Sequence, residues 1–440
     1  MLTKAKELLI LGLIIGLSFS TRLYSQNITK SPYSIIGLGD LVFGGTASNY
    51  TLGQTTQGKR NSFSINTLNP ASYSNMLFTN IEAGAIYSNG SFQGAVQNSS
   101  VTNSWISYLN FALPISIKRG VGVSFGVTPY SAVGYNILSN AFIPSDTGNG
   151  TPITIPAVNY FFGRGGLSKF YFGYGMRLHR KVSLGINANY LFGQITNTSQ
   201  LLIPSQFNMF NLNEDKVSYI RGWSYDIGVQ VHDTFTVGIK KPHEYEWVLG
   251  GTLTPGSDLR VDQSYILRTL PIGSSSGIKD TVYKNENLRG IANAPLSWKV
   301  GFTFGEKEKW MIAADAKGTN WSNFKNFGAN DSLRNSWGYG LGASFTPDYR
   351  NPKNILARLE YRVGYRYEQS NLMVNGLGID VNSLTCGVGI PLIKSRSKLN
   401  LGFEYITRGS IENGLIKETY YRFIVGISFS DKWFHRYRYD

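Results

Sequence analysis

Residues 296–304 read Leu-Ser-Trp-Lys-Val-Gly-Phe-Thr-Phe, so large apolar side chains alternate with small or polar ones. This period of two is that of a β-strand with one apolar face and one polar face. The same pattern recurs in residues 182–192, 337–345 and 357–367. The chain is therefore predicted to be all-β. In the last of these segments the charged residues on the polar face are Arg358, Glu360, Arg362 and Arg366.

A soluble β-sandwich also alternates, but two features favour a membrane barrel. The predicted strands are about 10 to 17 residues long, at or beyond the 9–11 residues that a tilted membrane strand needs. Charged residues make up only 16% of the chain and glycines number 49, whereas soluble domains carry about 25% charged residues. An apolar exterior and a polar lumen explain both features. Alternating segments within residues 76–430 predict a transmembrane antiparallel β-barrel of about 14 strands.

The N-terminus has the layout of a secretory signal peptide. Lys4 and Lys6 precede an apolar run over residues 8–17, and Ser25 is a small residue at the expected cleavage site. The alternative is an N-terminal membrane anchor, but the run is shorter than the roughly 20 residues that a spanning helix needs. Residues 1–25 are therefore predicted to be removed on export. An exported barrel is expected in the outer membrane of a Gram-negative cell.

The predicted connections between strands are of two kinds. Short basic turns, such as Lys118-Arg119, alternate with long connections near residues 138–165, 198–215 and 269–294. Short turns on one rim and long loops on the other are typical of periplasmic turns and extracellular loops. Both termini are then periplasmic, and residues 431–440 form a periplasmic tail. The net charge of +15 is concentrated at the turns, so no nucleic-acid partner is expected.

Residues 26–75 precede the first predicted strand and show little periodicity. A barrel of about 14 strands has an interior that its own side chains cannot fill. This segment is therefore predicted to be a hatch, a plug that lies inside or across the lumen.

No residue pattern indicates an enzyme. Residues 53–59 match the first part of a P-loop, but Arg60 stands where a serine or threonine should hold magnesium. The four histidines lack metal-ligand spacing, and Cys386 lies on the apolar face of its strand, where it is expected to contact lipid. We expect no cofactor and no metal.

Charged residues on the predicted lumenal face allow two interpretations. Asp315 and the charged residues of 357–367 have mixed signs, which favours cross-strand ion pairs that hold barrel and plug together. Some of the arginines are alternatively predicted to orient a ligand.

Pro129 lies late in the third predicted strand. Proline removes a hydrogen-bond donor from the sheet and is tolerated at strand ends, edges and bulges. Either the strand ends there, or it kinks and opens a gap in the wall, which makes Pro129 a candidate lateral gate.

Two of the long connections are unexpectedly apolar. Such loops should not expose this much apolar surface to water without use. They are predicted to pack on each other as a lid, to capture a hydrophobic ligand or to bind a partner protein. The candidate ligand-binding residues are Phe142, Phe161, Phe162, Phe207 and Phe210.

Several short motifs, taken in order, resemble the FadL family of outer-membrane transporters for long-chain fatty acids and other hydrophobic compounds. Residues 37–39 (Gly-Leu-Gly), followed by Asn69-Pro70-Ala71, are similar to the hatch of that family. Residues 320–324 (Asn-Trp-Ser-Asn-Phe) and 362–367 (Arg-Val-Gly-Tyr-Arg-Tyr) are similar to later family segments. The resemblance spans almost the whole mature chain. Residues 31–34 resemble a divergent Bacteroidota-type branch.

The resemblance implies a 14-stranded monomer with a lumenal hatch that includes Asn69, Pro70 and Ala71. It also implies that ligand enters from the extracellular loops and leaves sideways at a kink in the third strand, here at Pro129. The expected function is a channel for passive uptake of hydrophobic small molecules, with membrane lipid and such a molecule as partners. The alternative is a structural or accessory barrel subunit of an outer-membrane assembly or secretion complex, with other subunits as partners.

Overall fold

The computed structural model describes residues 28–94, 97–146, 152–238, 242–331, 333–351, 353–392 and 397–433. The predicted signal peptide and residues 434–440 of the predicted tail lie outside these ranges. Within the described ranges, no helix has the length and apolar character needed to cross a membrane.

The described strands form one antiparallel sheet. A short strand, β1 (Asp40–Leu41), precedes the wall of the barrel. The remaining strands are β2 (Thr79–Gln93), β3 (Asn98–Ser116), β4 (Val121–Asp146), β5 (Pro152–His179), β6 (Val182–Leu202), β7 (Asn211–Val237), β8 (His243–Thr254), β9 (Ser257–Leu270), β10 (Asp280–Ala294), β11 (Ser297–Glu306), β12 (Trp310–Thr319), β13 (Lys325–Asn326), β14 (Ala329–Asn330), β15 (Ser336–Phe345), β16 (Glu360–Val374), β17 (Leu377–Pro391), β18 (Lys398–Arg408) and β19 (Lys417–Asp431).

The wall is a closed barrel of 14 strands, as predicted. β8 and β9 are two halves of one wall strand, because both pair with β7 and only Pro255-Gly256 separates them. β10 and β11 are likewise halves of the next wall strand, separated by Pro295-Leu296. β19 pairs with β2 along its whole length and closes the barrel. Proline at each break removes a backbone donor, which explains why the ladder is interrupted there.

The alternation that predicts the strands also decides which side faces outward. Trp298 and Phe302 on β11 are 41% and 44% exposed on the outer surface, whereas Thr303 between Phe302 and Phe304 is buried. Aromatic side chains from neighbouring strands meet on the same outer face, for example Trp337 with Tyr367 at 5.5 Å between ring centroids. The prediction that the large apolar side chains point away from the lumen is confirmed.

Two sequence predictions about connections are wrong. Most residues of the predicted long loops lie in strands. β4 extends to Asp146, β5 begins at Pro152, and β10 occupies residues 280–294. Polar residues interrupt the apolar–polar alternation in these strand extensions, so the sequence pattern did not predict them as strands. The second error concerns residues 355–358, where a one-turn helix stands because the Asn354 side chain accepts hydrogen bonds from the Leu356 and Ala357 N–H groups. Arg358 therefore lies in a turn, not on a strand.

Residues 28–78 lie inside the lumen and form the hatch. Their side chains and backbone bond to several separate wall strands. The Gly53 N–H donates to Thr385 of β17, and Thr303 of β11 donates to the Gly58 carbonyl. Asn69 caps the 3-10 helix Pro70–Asn75 by accepting from the Ala71 N–H at 3.2 Å. The hatch is thus held by the wall around it.

Lumen-facing glycines let the hatch backbone lie directly against the wall. A Cβ atom at Gly250 would lie 1.9 Å from the Gln57 carbonyl oxygen, and one at Gly185 would lie 2.3 Å from the Pro70 carbonyl carbon. No side chain fits at such distances. The glycine-rich polar face of the predicted strands is therefore the lumenal surface of the wall against which the hatch packs, here called the seat of the hatch.

Two adjacent glycines test this interpretation. Gly250→Ala should destabilise the docked hatch by roughly 1–3 kcal/mol or more, because the new methyl group overlaps Gln57. Gly251→Ala is the matched control, since its Cβ would meet nothing nearer than the Lys299 carbonyl oxygen at 3.6 Å. The measurement is limited proteolysis of the purified barrel together with its unfolding midpoint in urea. Equal behaviour of the two variants would contradict the proposed seat.

Candidate functional site

The wall is incomplete between β3 and β4. These strands pair only from Leu109 opposite Val127 to Ser116 opposite Val121, although both continue well beyond that ladder. The pairing of β4 with β5 shifts register between Pro129 and Ser131, so β4 carries a bulge there. Proline has no N–H to donate to a neighbouring strand. β3 and β4 therefore separate at Pro129 and leave a gap.

Beyond the bulge, β4 is covered on both faces. Residues 131–135 are all buried, so both faces of the strand are covered in this segment. Tyr135 and Val133 join an internal apolar cluster, and Tyr130 packs against it. In an ordinary wall strand alternate side chains would face lipid. This segment keeps its pairing with β5 but, unlike an ordinary wall strand, has no face open to lipid.

The hatch strand β1 occupies the gap. Asp40 pairs with Ala132 and Leu41 with Ser131, and the Val42 N–H donates to the Tyr130 carbonyl at 2.9 Å. β1 therefore supplies backbone partners to β4 at the place where β3 does not.

Gly39 is required at the start of β1. It has a φ of +90°, and a Cβ would lie 2.4 Å from the Ala132 carbonyl oxygen. Leu41 of β1 remains 43% exposed although its backbone pairs with β4.

An ion-pair cluster holds β1 in place. The Arg408 guanidinium of β18 lies 2.8 Å from the Asp40 carboxylate and 3.5 Å from the Glu418 carboxylate of β19. Thr29 donates to Asp40 at 2.7 Å, and Ser31 donates to Glu418. The Glu418 side chain is fully buried. One barrel arginine thus fixes the strand that closes the gap.

Behind the gap lies a cavity of about 340 Å³. Its side toward the gap is lined by Pro129, Tyr130 and Trp105 of the wall and by Leu41, Val42 and Phe43 of the hatch. Its far side carries charges of both signs. These far-side residues are Asp226, Lys299, Lys317, Arg366 and Glu368. Beside the gap the lining is mostly apolar, but Asp40 of β1 and Lys169, opposite Thr128 on β5, also belong to it.

An apolar layer closes the lumen above the cavity. The connection between β12 and β15 folds inward, so Trp321 and Phe324 are almost completely buried. They belong to one cluster with Tyr33 and Leu38 of the hatch and with wall residues such as Leu259. Phe161 packs against the same cluster from β5. Apolar contacts thus run continuously from the upper part of the barrel to Tyr130 at the cavity.

Comparison with known proteins identifies the family of the chain. The family model described as BamG matches residues 5–440. The chain belongs to the BamG family. None of the curated proteins matches this sequence.

Solved structures share the fold of this BamG-family chain at low identity. The CymD monoaromatic hydrocarbon channel is 13% identical with a TM-score of 0.53, covering 91% of this chain and 100% of that chain. The Ralstonia pickettii toluene transporter TbuX is 13% identical with a TM-score of 0.54, covering 88% and 98%. A Pseudomonas aeruginosa FadL homologue is 11% identical with a TM-score of 0.56, covering 89% and 99%. The resemblance to the FadL family is thus confirmed for the fold.

The structure does not bring the five predicted ligand-binding phenylalanines together. Phe142 and Phe210 are 69% and 46% exposed, and Phe162 is half-buried on β5. Phe207 packs on a small separate cluster around Ile155, while Phe161 packs on the lumenal cluster. None of the five lines the cavity. The two apolar connections do pack on each other, around Ile155 and Ile203.

Most of the predicted lumenal charges form ion pairs. Arg362 lies 2.7 Å from Glu360, and Arg366 lies 2.8 Å from Glu368 and 3.6 Å from Glu404. The Asp315 carboxylate instead accepts hydrogen bonds from the Thr56 and Gln57 N–H groups of the hatch, at 2.6 and 2.9 Å. No ion pair involves Arg358 within the described residues, where it lies half-buried in its turn.

A buried hatch lysine, Lys59, has no carboxylate within ion-pair distance among the described residues. Burial lowers the pKa of the Lys59 ammonium to about 7, and its Nζ atom donates to the Ser48 hydroxyl. This hydrogen bond lies within the hatch. The described residues contain no group of three or more His, Cys, Asp or Glu side chains placed to hold a metal ion.

Sequence reasoning missed Asp40, Arg408, Trp105 and Tyr130. Arg408 was hidden because it stands at the last position of its strand, where parity gives little guidance. Asp40 had one available signal, since it follows the Gly-Leu-Gly motif directly and is an isolated acidic residue in the hatch.

Removing the Arg408 side chain tests the hold on β1. Arg408→Leu leaves Asp40 and Glu418 without their cation, and breaking a buried pair in this way costs about 3–5 kcal/mol. We expect a lower unfolding midpoint in urea and faster proteolysis of the hatch. The control is Arg350→Leu, which removes an exposed partner of Glu308 and should change either readout little. If both variants behave alike, Arg408 does not hold the hatch.

Proposed function

We propose that this protein is an outer-membrane channel for hydrophobic small molecules, which leave sideways through the gap between β3 and β4. The observation that carries the proposal is the loss of the β3–β4 ladder at Pro129 beside a cavity whose lining on that side is mostly apolar. The solved structures titled as hydrocarbon channels and toluene transporters share the fold and support the proposal.

The outer surface supports a place in the membrane. Outward positions along the wall carry large apolar side chains at about 40–50% exposure, as in Val300, Leu341 and Phe423. So much exposed apolar surface is unfavourable in water, while hydrocarbon solvates it well. Since a Gram-negative cell keeps barrels of this kind in its outer membrane, we place the protein there. The short turns face the periplasm in this proposal, as do both termini.

The proposed route avoids the polar side of the lumen. Apolar ligand would enter near Phe161, where the two apolar connections meet the lumenal cluster, and pass to Tyr130 beside the cavity. It would then reach lipid through the gap when β1 shifts. Each Å² of apolar surface kept from water contributes roughly 25 cal/mol, so a sideways exit is favoured over an exit through the charged lumen. Phe142, Phe162, Phe207 and Phe210 would contribute at the entrance.

A second function has its own observation. The Trp321–Phe324 layer, the Arg408 ion pairs and the Asp315 hydrogen bonds together fill much of the lumen. A barrel closed in this way suits a structural or accessory subunit of an outer-membrane assembly or secretion complex. Purification in mild detergent distinguishes the two, because a channel comes alone whereas a subunit comes with stoichiometric partners.

Accessibility in intact cells tests the orientation. A short tag inserted at Gly277, in the connection between β9 and β10, should be reached by external antibody because the proposal places that rim outside. A tag at Tyr349, between β15 and β16, should be reached only after the outer membrane is permeabilised. The opposite pattern would reverse the topology.

Replacing the gap proline tests the route. Pro129→Val supplies the missing N–H, which should extend the β3–β4 ladder and narrow the gap. We expect uptake of a radiolabelled long-chain fatty acid or of toluene to fall several-fold, as a change of about 1 kcal/mol implies. The control is Pro114→Val on β3, which lies within the ladder opposite Gly122. Heat-modifiable gel mobility checks that both variants fold.

The uptake result can also refute the proposal. If neither Pro129→Val nor deletion of the gene changes uptake of either compound, the protein is not a channel for them. The complex-subunit function would then lead.

A further inference from the structure

The upper part of β4 is an open sheet edge. β4 pairs with β5 without interruption from Ser131 to Asp146, but on its other side only β1 pairs with it, at Ser131 and Ala132. Within the described residues no strand lies against that side from Val133 onward. The 13 residues from Val121 to Val133 exceed the roughly 9–11 that a tilted strand needs to cross a membrane. The open edge of residues 136–146 therefore extends past the hydrocarbon layer.

The direction of its backbone groups follows from two hydrogen bonds. The Tyr130 carbonyl accepts from Val42 of the hatch, and the Gly134 N–H donates to Ser34 of the hatch. In an antiparallel strand the N–H and C=O of one residue point to the same side, and the side alternates along the chain. Because the register stays continuous, the N–H groups of Asn136, Leu138, Asn140 and Phe142 point to the open edge.

The side chains of this edge lack the usual protection against pairing. Exposed edges are normally blocked by charged residues, prolines or bulges. Residues 136–145 read Asn-Ile-Leu-Ser-Asn-Ala-Phe-Ile-Pro-Ser and contain no charge, and Pro144 stands near the tip. Leu138 and Phe142 are 68% and 69% exposed, among the most exposed large apolar residues of the described chain. In the proposed placement of the barrel they lie above the part of β4 that crosses the membrane.

We infer that this edge binds an extended segment of another protein as an added β-strand. The interface would continue the one that β1 already forms on the same edge of β4, since the β1–β4 pairing ends at Ala132 and the open edge begins above it. Backbone hydrogen bonds supply affinity in such strand addition, and alternate side chains supply specificity. Leu138 and Phe142 favour a partner segment whose facing side chains are apolar and uncharged. This inference does not depend on transport of any ligand.

Site-specific photocrosslinking in cells tests the inference. A photoreactive amino acid replaces Leu138 in the full-length protein. A second variant carries it at Ile278, which is similarly exposed in the connection between β9 and β10. We expect one discrete protein adduct at Leu138 and none at Ile278. Adding Asn140→Pro removes an edge N–H and should lower the adduct at least about tenfold. Asn140→Ala keeps the N–H and should retain the adduct.

Hydrogen exchange provides the second measurement, in case Asn140→Pro does not fold. In outer-membrane fragments the amides of Asn136, Leu138 and Asn140 should exchange slowly, and in the isolated barrel they should exchange quickly. The amides of Ile137 and Ser139 bond to β5 and should be slow in both. Absence of a protein adduct, an adduct that survives Asn140→Pro, an adduct lost with Asn140→Ala, or no difference in exchange would each overturn strand addition.

Discussion

The structure depends on a geometric constraint: a closed wall of 14 strands encloses more space than its own lumenal side chains can fill. The hatch supplies the missing material, and it has to come very close to the wall to leave no voids. Glycines at Gly185 and Gly250 allow that approach because their missing Cβ atoms leave room for the hatch carbonyls. The glycine-rich composition of the wall and the presence of the hatch thus both follow from the need to fill the lumen.

The same requirement explains how the wall tolerates a gap. A strand that loses its neighbour leaves backbone N–H and C=O groups unpaired, which is costly at membrane depth unless protein covers them. Once Pro129 ends the ladder with β3, the hatch must pair with β4, and it does so through β1. Arg408 then secures β1 from across the lumen. The plug therefore completes the wall as well as filling the interior.

The sequence predicted the elements whose signal is local. Alternation located all 14 wall strands, since membrane strands show one face to lipid and the other to the lumen. The chemistry of proline marked Pro129 as a place where the strand either ends or kinks, and left that choice open. The upper extensions of β4, β5 and β10 were missed because neither of their faces is uniformly apolar. Arg408 with Asp40 could not be predicted, since the pair joins residues 368 apart in the chain.

The two halves of β4 differ in what surrounds them, and we assign them different functions. Below Pro129 it is an ordinary wall strand, with outward side chains such as Val127 facing lipid. Above it, the strand is first enclosed by the hatch and then emerges with one edge unpaired. If the edge of β4 served only to lengthen the β4–β5 hairpin, a lysine on it would be an advantage, because charge prevents unwanted pairing. Residues 136–145 contain no charged residue, so their backbone groups are available for pairing. The gap that the hatch closes at membrane depth therefore continues above the hatch as an edge that another chain can complete.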